Sequence, residues 1–292
     1  MPVLSLRAMS VAAVVAIAAA ACSSSSSSTH STSPAAAAAA ATTGGDNVTS
    51  TSMAMMPMPP FAKDMHASFA SPADGVKVTD NELTVKVNVA GYTDSCDWAG
   101  KPVTQGVGHY HLLLDKALIN MYCTPDATVS LQNVKPGLHK LTVVPALNDH
   151  SEVEENGQTI TFDYEPNGAL AALTDRTFPA KPSIKILSPL PGAVLSGAFD
   201  VTVRIDNYSP NCDLFGKPDL AGYGHWHVNL DSTSGPMMGM GTMLGMSCTT
   251  TLHQSTLGLK TGEHHTLIAL LVDNGHAPLM PAVEDKVDVT IG

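Results

Sequence analysis

Basic residues are scarce in this chain: over 292 residues, 15 Lys and Arg stand against 26 Asp and Glu, a formal charge of −11. That balance argues against a phosphate-backbone partner, so no nucleic-acid role is expected. Aromatic residues make up only 5%, and alanine runs that bury little inflate the 44% hydrophobic fraction. The core must therefore come from Val, Leu and Ile. No segment sustains a 3.6-residue apolar period, which excludes a helical architecture. There is no Gly-x-Ser-x-Gly elbow, His-Glu-x-x-His, phosphate-binding glycine loop or dinucleotide fingerprint. A non-enzymatic protein is expected. The one long apolar stretch, before Cys22, is too short for a comfortable membrane span and runs into serines rather than basic stop-transfer residues.

That stretch follows a lone basic residue, Arg7, and ends in small residues, so 1–22 reads as a secretory signal segment. Ala19-Ala20-Ala21-Cys22 resembles the lipobox of bacterial lipoproteins, which implies acylation at Cys22 and a membrane-anchored chain in the cell envelope, on its periplasmic or outer face. Cleavage after an Ala-x-Ala site is the competing reading. Residues 23–63 are rich in Ser, Ala and Met and too poor in burial to offset the entropy of folding, so a disordered tether is expected.

What remains is an internal repeat. Cys96-Asp97-Trp98-Ala99-Gly100-Lys101-Pro102, Gly106-Val107-Gly108-His109-Tyr110-His111 and Leu114-Asp115 recur at an offset of 116 as Cys212-Asp213-Leu214-Phe215-Gly216-Lys217-Pro218, Gly222-Tyr223-Gly224-His225-Trp226-His227 and Leu230-Asp231. Past a methionine-rich insertion, Met121 and Cys123 match Met246 and Cys248, Gly137-Leu138-His139 is aligned with Gly262-Glu263-His264, and His150 matches His276. Two domains follow, at 64–165 and 182–292, with a linker at 166–181.

Within each copy the apolar residues alternate, as in Leu83, Val85, Val87, Val89 and in Phe199, Val201, Val203, Ile205. Further strands are expected at 109–114, 128–131, 138–147 and 158–164, and at 225–230, 251–257, 264–272 and 286–291. The fold class is all-β, two tandem immunoglobulin-like β-sandwich domains.

With Cys22 acylated, four cysteines remain, two per copy. In an oxidising compartment the simplest pairs are Cys96–Cys123 and Cys212–Cys248, each stabilising by roughly 3–4 kcal/mol on the chain-entropy model. Thiolate metal ligation is the weaker alternative, because no Cys-x-x-Cys pair is present.

On a strand, His109 and His111 share one face while Tyr110, Leu112 and Leu114 share the other; His225 and His227 stand likewise against Trp226, Val228 and Leu230. The bulky apolar set must face the core, so both imidazole pairs point away from it. Two imidazoles at i and i+2 suit chelation of one ion. Recurring further donors are His139, His150 and Met121 in the first copy and His264, His276 and Met246 in the second. Met237, Met238, Met240, Met243 and Met246 fill the insertion and read as a port for Cu(I), and Met53, Met55, Met56 and Met58 form a second cluster. Imidazole with thioether selects copper, with zinc as the alternative ion. Structural histidines and an adhesive methionine surface are the competing explanation.

Gly-His-x-His, Leu-x-Asp, Pro136-Gly137-Leu138-His139 and a following loop histidine together resemble a group of secreted bacterial sandwich domains of unassigned function, which implies a fold and a location but no activity. The combination with methionines is similar, more weakly, to CopC-type copper-resistance proteins, although their N-terminal ligating histidine has no counterpart after Cys22. The His-x-His strand is similar to copper-zinc superoxide dismutase without its zinc-loop pattern. The expected function is an envelope-tethered copper-binding lipoprotein that stores, buffers or transfers the ion, with a copper-donor or acceptor protein as partner. The alternative is a non-enzymatic cell-surface module that recognises a protein or glycan.

Overall fold

Alternating apolar residues become paired strands, and each repeat forms nine of them in the same order. The computed structural model describes residues 57–234 and 237–292, with the backbone alone for Met237 and Met238. The expected signal segment with Cys22, the part of the expected tether before residue 57 with Met53, Met55 and Met56, and the side chains of Met237 and Met238 lie outside the described residues. The first repeat contains β1 (His66–Ser71), β2 (Val76–Val78), β3 (Glu82–Ala90), β4 (Thr93–Asp94), β5 (Val107–Leu114), β6 (Ala117–Tyr122), β7 (Asp126–Ser130), β8 (Gly137–Ala146) and β9 (Gln158–Tyr164). The second contains β10 (Ser183–Ser188), β11 (Ala193–Leu195), β12 (Ala198–Asp206), β13 (Ser209–Pro210), β14 (Tyr223–Leu230), β15 (Met243–Ser247), β16 (Thr251–Ser255), β17 (His264–Val272) and β18 (Glu284–Ile291).

Each repeat is an immunoglobulin-like sandwich. A three-stranded sheet, β1-β3-β7 or β10-β12-β16, faces a larger one, β2-β9-β8-β5-β4 or β11-β18-β17-β14-β13, in which β5 or β14 also pairs with β6 or β15. Leu83, Val85 and Val87 of β3 meet Tyr110 and Leu112 of β5 in the first core; Val201 and Val203 meet Trp226 and Val228 in the second. Cys96 is bonded to Cys123 and Cys212 to Cys248. The segment between the sandwiches is pinned at both ends. Gln132 Nε2 donates to Ala171 O at 3.0 Å, Asn133 Nδ2 to Leu173 O at 2.9 Å, and the Arg176 amide to Ala221 O at 2.8 Å.

The face of β5 and β14 that looks away from each core is not open to water. His109, His111, His225 and His227 are all buried there, because the two repeats pack against each other. β6 and β15 build this interface, and neither shows in the sequence pattern: β15 is buried at every position, so it has no alternation to display. The contacts run in both directions and repeat each other. His150 Nε2 donates to Met243 O of β15 at 2.7 Å, and His276 Nε2 donates to Leu118 O of β6 at 2.9 Å. Lys101 Nζ reaches Ser255 O at 2.6 Å, and the Trp98 ring lies where a Cβ on Gly258 would stand.

Two matched glycines set the closeness of this packing. Gly100 (φ +68°) and Gly216 (φ +66°) hold a left-handed backbone, and a Cβ on either would collide with the opposite repeat, at Met243 and at Leu118. Gly75 (φ +74°) shares the backbone conformation, yet its Cβ would meet nothing within 4 Å. Gly75→Ala should therefore cost about 1 kcal/mol from the left-handed backbone alone, and Gly100→Ala or Gly216→Ala roughly 1–3 kcal/mol more from overpacking. Chemical denaturation of the three variants checks this; equal losses would mean the glycines do not govern the interface.

Candidate metal centres

The centres are assembled from one strand and one loop per repeat. Because the strand alternates, Tyr110 and Leu112 enter the core and His109 and His111 project from the other face of β5. His150 arrives from the turn after β8, its amide bonded to Leu147 O at 2.9 Å and its backbone at φ +63°; His276 matches it after β17 at φ +70°. A left-handed backbone disfavours any residue with a Cβ, by on the order of 1 kcal/mol. Both repeats nonetheless place an imidazole where glycine would be less strained.

In the first centre the ring nitrogens converge. His109 Nε2 lies 3.0 Å from His111 Nε2 and 3.1 Å from His150 Nδ1, and the last two are 3.4 Å apart. In the second, His225 Nε2 lies 3.0 Å from His227 Nε2 and 2.9 Å from His276 Nδ1. Ligands about 2.0–2.1 Å from one tetrahedral ion stand little more than about 3 Å from each other, so each group has the geometry to hold a metal ion.

Proton accounting sharpens the first centre. His111 Nδ1–H donates to Glu152 Oε1 at 2.6 Å and His150 Nε2–H donates to Met243 O at 2.7 Å. Their other nitrogens are then lone pairs aimed at the same point. His109 carries one ring proton when neutral, enough to satisfy one of them and not both; its Nδ1 has no partner among the described residues. A cation at the centre satisfies all three.

Burial favours the neutral form of His109, His150, His225, His227 and His276. It presses His109, His225 and His227 well below the ordinary imidazole value, with the neighbouring imidazoles adding to the effect. His150 is pushed down to about 3 by burial and then by His111; His276 goes to about 4, with its bond to Leu118 and the Asp273 charge opposing burial. Charges on the first triad are felt by the second: His150 acts on His227 and His111 on His276.

Other expected donors lie elsewhere. His139 is outside the first centre, bonded to Asp115 Oδ2 and Lys135 O, both at 2.7 Å. His264 is outside the second, beside Thr290 Oγ1 at 3.0 Å. The structural counterpart of His139 is instead His265, which holds Asp231 Oδ2 at 2.7 Å. Both imidazole–carboxylate pairs brace the turn after β5 or β14, where Asp115 and Asp231 also accept a backbone amide from the adjacent strand. Met121 stands directly across the strand pair from His111, and Met246 from His227. Met240, Met243 and Met246 do not form an open port: all three are buried in the apolar cluster that joins the repeats. Apolar packing at the interface takes them in, where the sequence alone suggested part of a port for Cu(I).

Two residues absent from the expected set distinguish the centres. Glu152 backs the first, and its counterpart is Pro278, since the bridges Ala146–Glu152 and Val272–Pro278 correspond. Phe215 walls the second, with its ring 4.2 Å from His225, where the first has Ala99. The internal comparison of the two motifs already contained Ala99 against Phe215 but ended at His150 and His276, short of Glu152 and Pro278, and nothing in it placed these residues beside the histidines.

No protein-family model and no curated protein matches the chain. Among solved structures it is similar to the fibronectin(III)-like modules of Clostridium thermocellum CbhA, at 14% identity over 77% of this chain and 93% of that one, with a TM-score of 0.24. It is also similar to a Dscam structure (10% identity, 77% and 46% coverage, TM-score 0.21) and to the FN1-FN3 domains of chicken CNTN1 (11%, 74% and 65%, TM-score 0.19). The fold assignment rests on the strand pairing itself.

Neutral buried imidazoles make the metal-free protein acid-sensitive. Unfolded histidines titrate near about 6.5, and the folded values lie below that, so the stability these rings contribute is complete above about pH 6.5 and is lost as pH falls toward their folded values. Each such ring contributes a slope of up to about 1.4 kcal/mol per pH unit in this window. Urea midpoints of metal-free protein from pH 7.5 to 5 should fall steeply, and less steeply in His109→Leu/His225→Leu. A pH-independent midpoint would contradict the neutral, buried state of His109, His150, His225, His227 and His276.

Proposed function

We propose that the two histidine triads bind metal ions, with copper the favoured ion, and that the chain stores, buffers or transfers the ion in the cell envelope without catalysing a reaction. One observation carries this reading: in the first centre, two imidazoles whose outer nitrogens are committed as donors turn their lone pairs on one buried point, and a third ring cannot satisfy both. A purely structural cluster would leave a buried acceptor unpaired, at a cost of about 1–3 kcal/mol, and would gain nothing from the left-handed loop histidines.

Copper is favoured over zinc by what surrounds the rings. A thioether lies across the strand pair from an imidazole in each repeat, Met121 from His111 and Met246 from His227, and mixed imidazole and thioether donors suit copper, the monovalent ion most of all. The two disulfides fit an oxidising extracellular or periplasmic compartment. Among the described residues no helix is long and apolar enough to cross a membrane; attachment in this reading comes through lipid on Cys22. The charge of −11 draws cations to the surface. A donor or acceptor protein completes the transfer role.

The test is metal titration of disulfide-intact protein with Cu(I), Cu(II) and Zn(II) against competing chelators. Two copper equivalents are expected. His109→Ala/His111→Ala should remove one, and adding His225→Ala/His227→Ala should remove the other, with circular dichroism confirming the fold. Weak, non-stoichiometric binding that survives all four substitutions would overturn the metal reading and leave the surface-recognition one.

A further inference from the structure

We propose, resting on the metal reading above, that the two centres are functionally unlike: Glu152 makes the first a tight site for a divalent ion, and the second, without that carboxylate, is a site for a soft monovalent ion. The comparison is internal to one molecule. Both centres have three buried imidazoles in the same arrangement, with the loop histidine bonded to a carbonyl of the other repeat, and both have a methionine across from the second strand histidine. They differ in what stands behind and beside the rings.

Behind the first centre, Glu152 Oε1 receives His111 Nδ1–H at 2.6 Å. A carboxylate in this place fixes the tautomer, aims Nε2 at the ion and raises the electron density of the ring; loss of such a partner typically weakens metal binding by about 10–100-fold. It also puts a negative charge one ring away from the ion. The Glu152 side chain is largely covered, with 17% of its surface exposed, so solvent screens that charge only in part.

Behind the second centre stands Pro278, which has no acceptor side chain, and no protein group among the described residues bonds His227 Nδ1. The carboxylate nearest in sequence to His276, Asp273, spends its Oδ1 on the amides of Gly275 at 2.8 Å and Ala277 at 2.9 Å and bonds no imidazole, so its charge acts on His276 without a hydrogen bond. Phe215 adds an apolar wall, 4.2 Å from His225 and 5.9 Å from His276 by ring centroids. The desolvation penalty of a buried ion grows with the square of its charge. A centre of three neutral rings without a bonded carboxylate therefore discriminates against a divalent ion, while soft nitrogen and thioether surroundings retain a monovalent one. Glu152 acts through His111 and is a positioning residue.

The experiment is a pair of titrations on intact full-length protein, one with Zn(II) and one with Cu(I) under a reductant that spares the disulfides. Zn(II) should bind in two steps, the first at least about tenfold tighter. Glu152→Gln should weaken the tight Zn(II) step by about 10–100-fold and leave the tightest Cu(I) step unchanged, a split that loss of packing alone would not produce. Pro278→Glu supplies an independent arm: a carboxylate installed behind His227 should strengthen the weaker Zn(II) step. Two equal Zn(II) steps, indifferent to both substitutions, overturn this inference and leave the metal reading standing. No stoichiometric binding of either ion overturns the metal reading itself.

Discussion

Two hydrogen bonds exchanged between the repeats govern the rest of the structure. His150 gives its Nε2 proton to a carbonyl of β15, and His276 gives its own to a carbonyl of β6. Each bond turns a loop imidazole so that its Nδ1 faces the His-x-His pair of its own strand. Neither repeat orients its triad by itself; each needs the edge strand of the other. Gly100 and Gly216 keep the turns after β4 and β13 close to those strands, and Met240, Met243 and Met246 fill the apolar part of the same interface.

Burial in that interface also decides the chemical state of the rings. A solvent-facing His-x-His pair would titrate near the usual value and compete for protons with any cation. Covered by a second sandwich, His109, His150, His225, His227 and His276 are held neutral well into acid, which is the protonation state a ligand needs. The left-handed backbones of His150 and His276 belong to the same arrangement: strain in a loop persists only where surrounding structure over-determines it, and here the packed repeats and the carbonyl bonds do so. The duplicated frame carries two unlike surroundings. Glu152 against Pro278 and Ala99 against Phe215 change the electrostatics while the ring geometry stays the same.

Much of this was legible in the chain. The alternation at Leu83–Val89 and Phe199–Ile205 specifies strands with one buried face, and the offset of Cys96 from Cys212 specifies a tandem repeat. The choice between Tyr110 and His109 for the core follows from period two and bulk, and it places both His-x-His pairs on the outer face. His150 and His276 were recognisable by recurrence. The same recurrence also pointed to His139 and His264, which bond turns and strands instead, because matching positions in a repeat record shared structure as readily as shared chemistry. The burial of Met240, Met243 and Met246 in the interface was not legible for a related reason: thioethers serve packing and ligation equally well, and local sequence does not say which.

By itself, then, the sequence determined what is local and periodic: all-β sandwiches, their duplication, the strand face of each histidine and the position of each cysteine. The tertiary structure alone decided that the outer faces meet, that edge strands with no readable pattern supply the carbonyls, and that Glu152 stands behind one triad and Phe215 beside the other. The physical reason is that strand alternation depends on nearest neighbours along the chain. An interface between two finished sandwiches depends on shape and bonding between residues as far apart as His276 and Leu118, which no local pattern encodes.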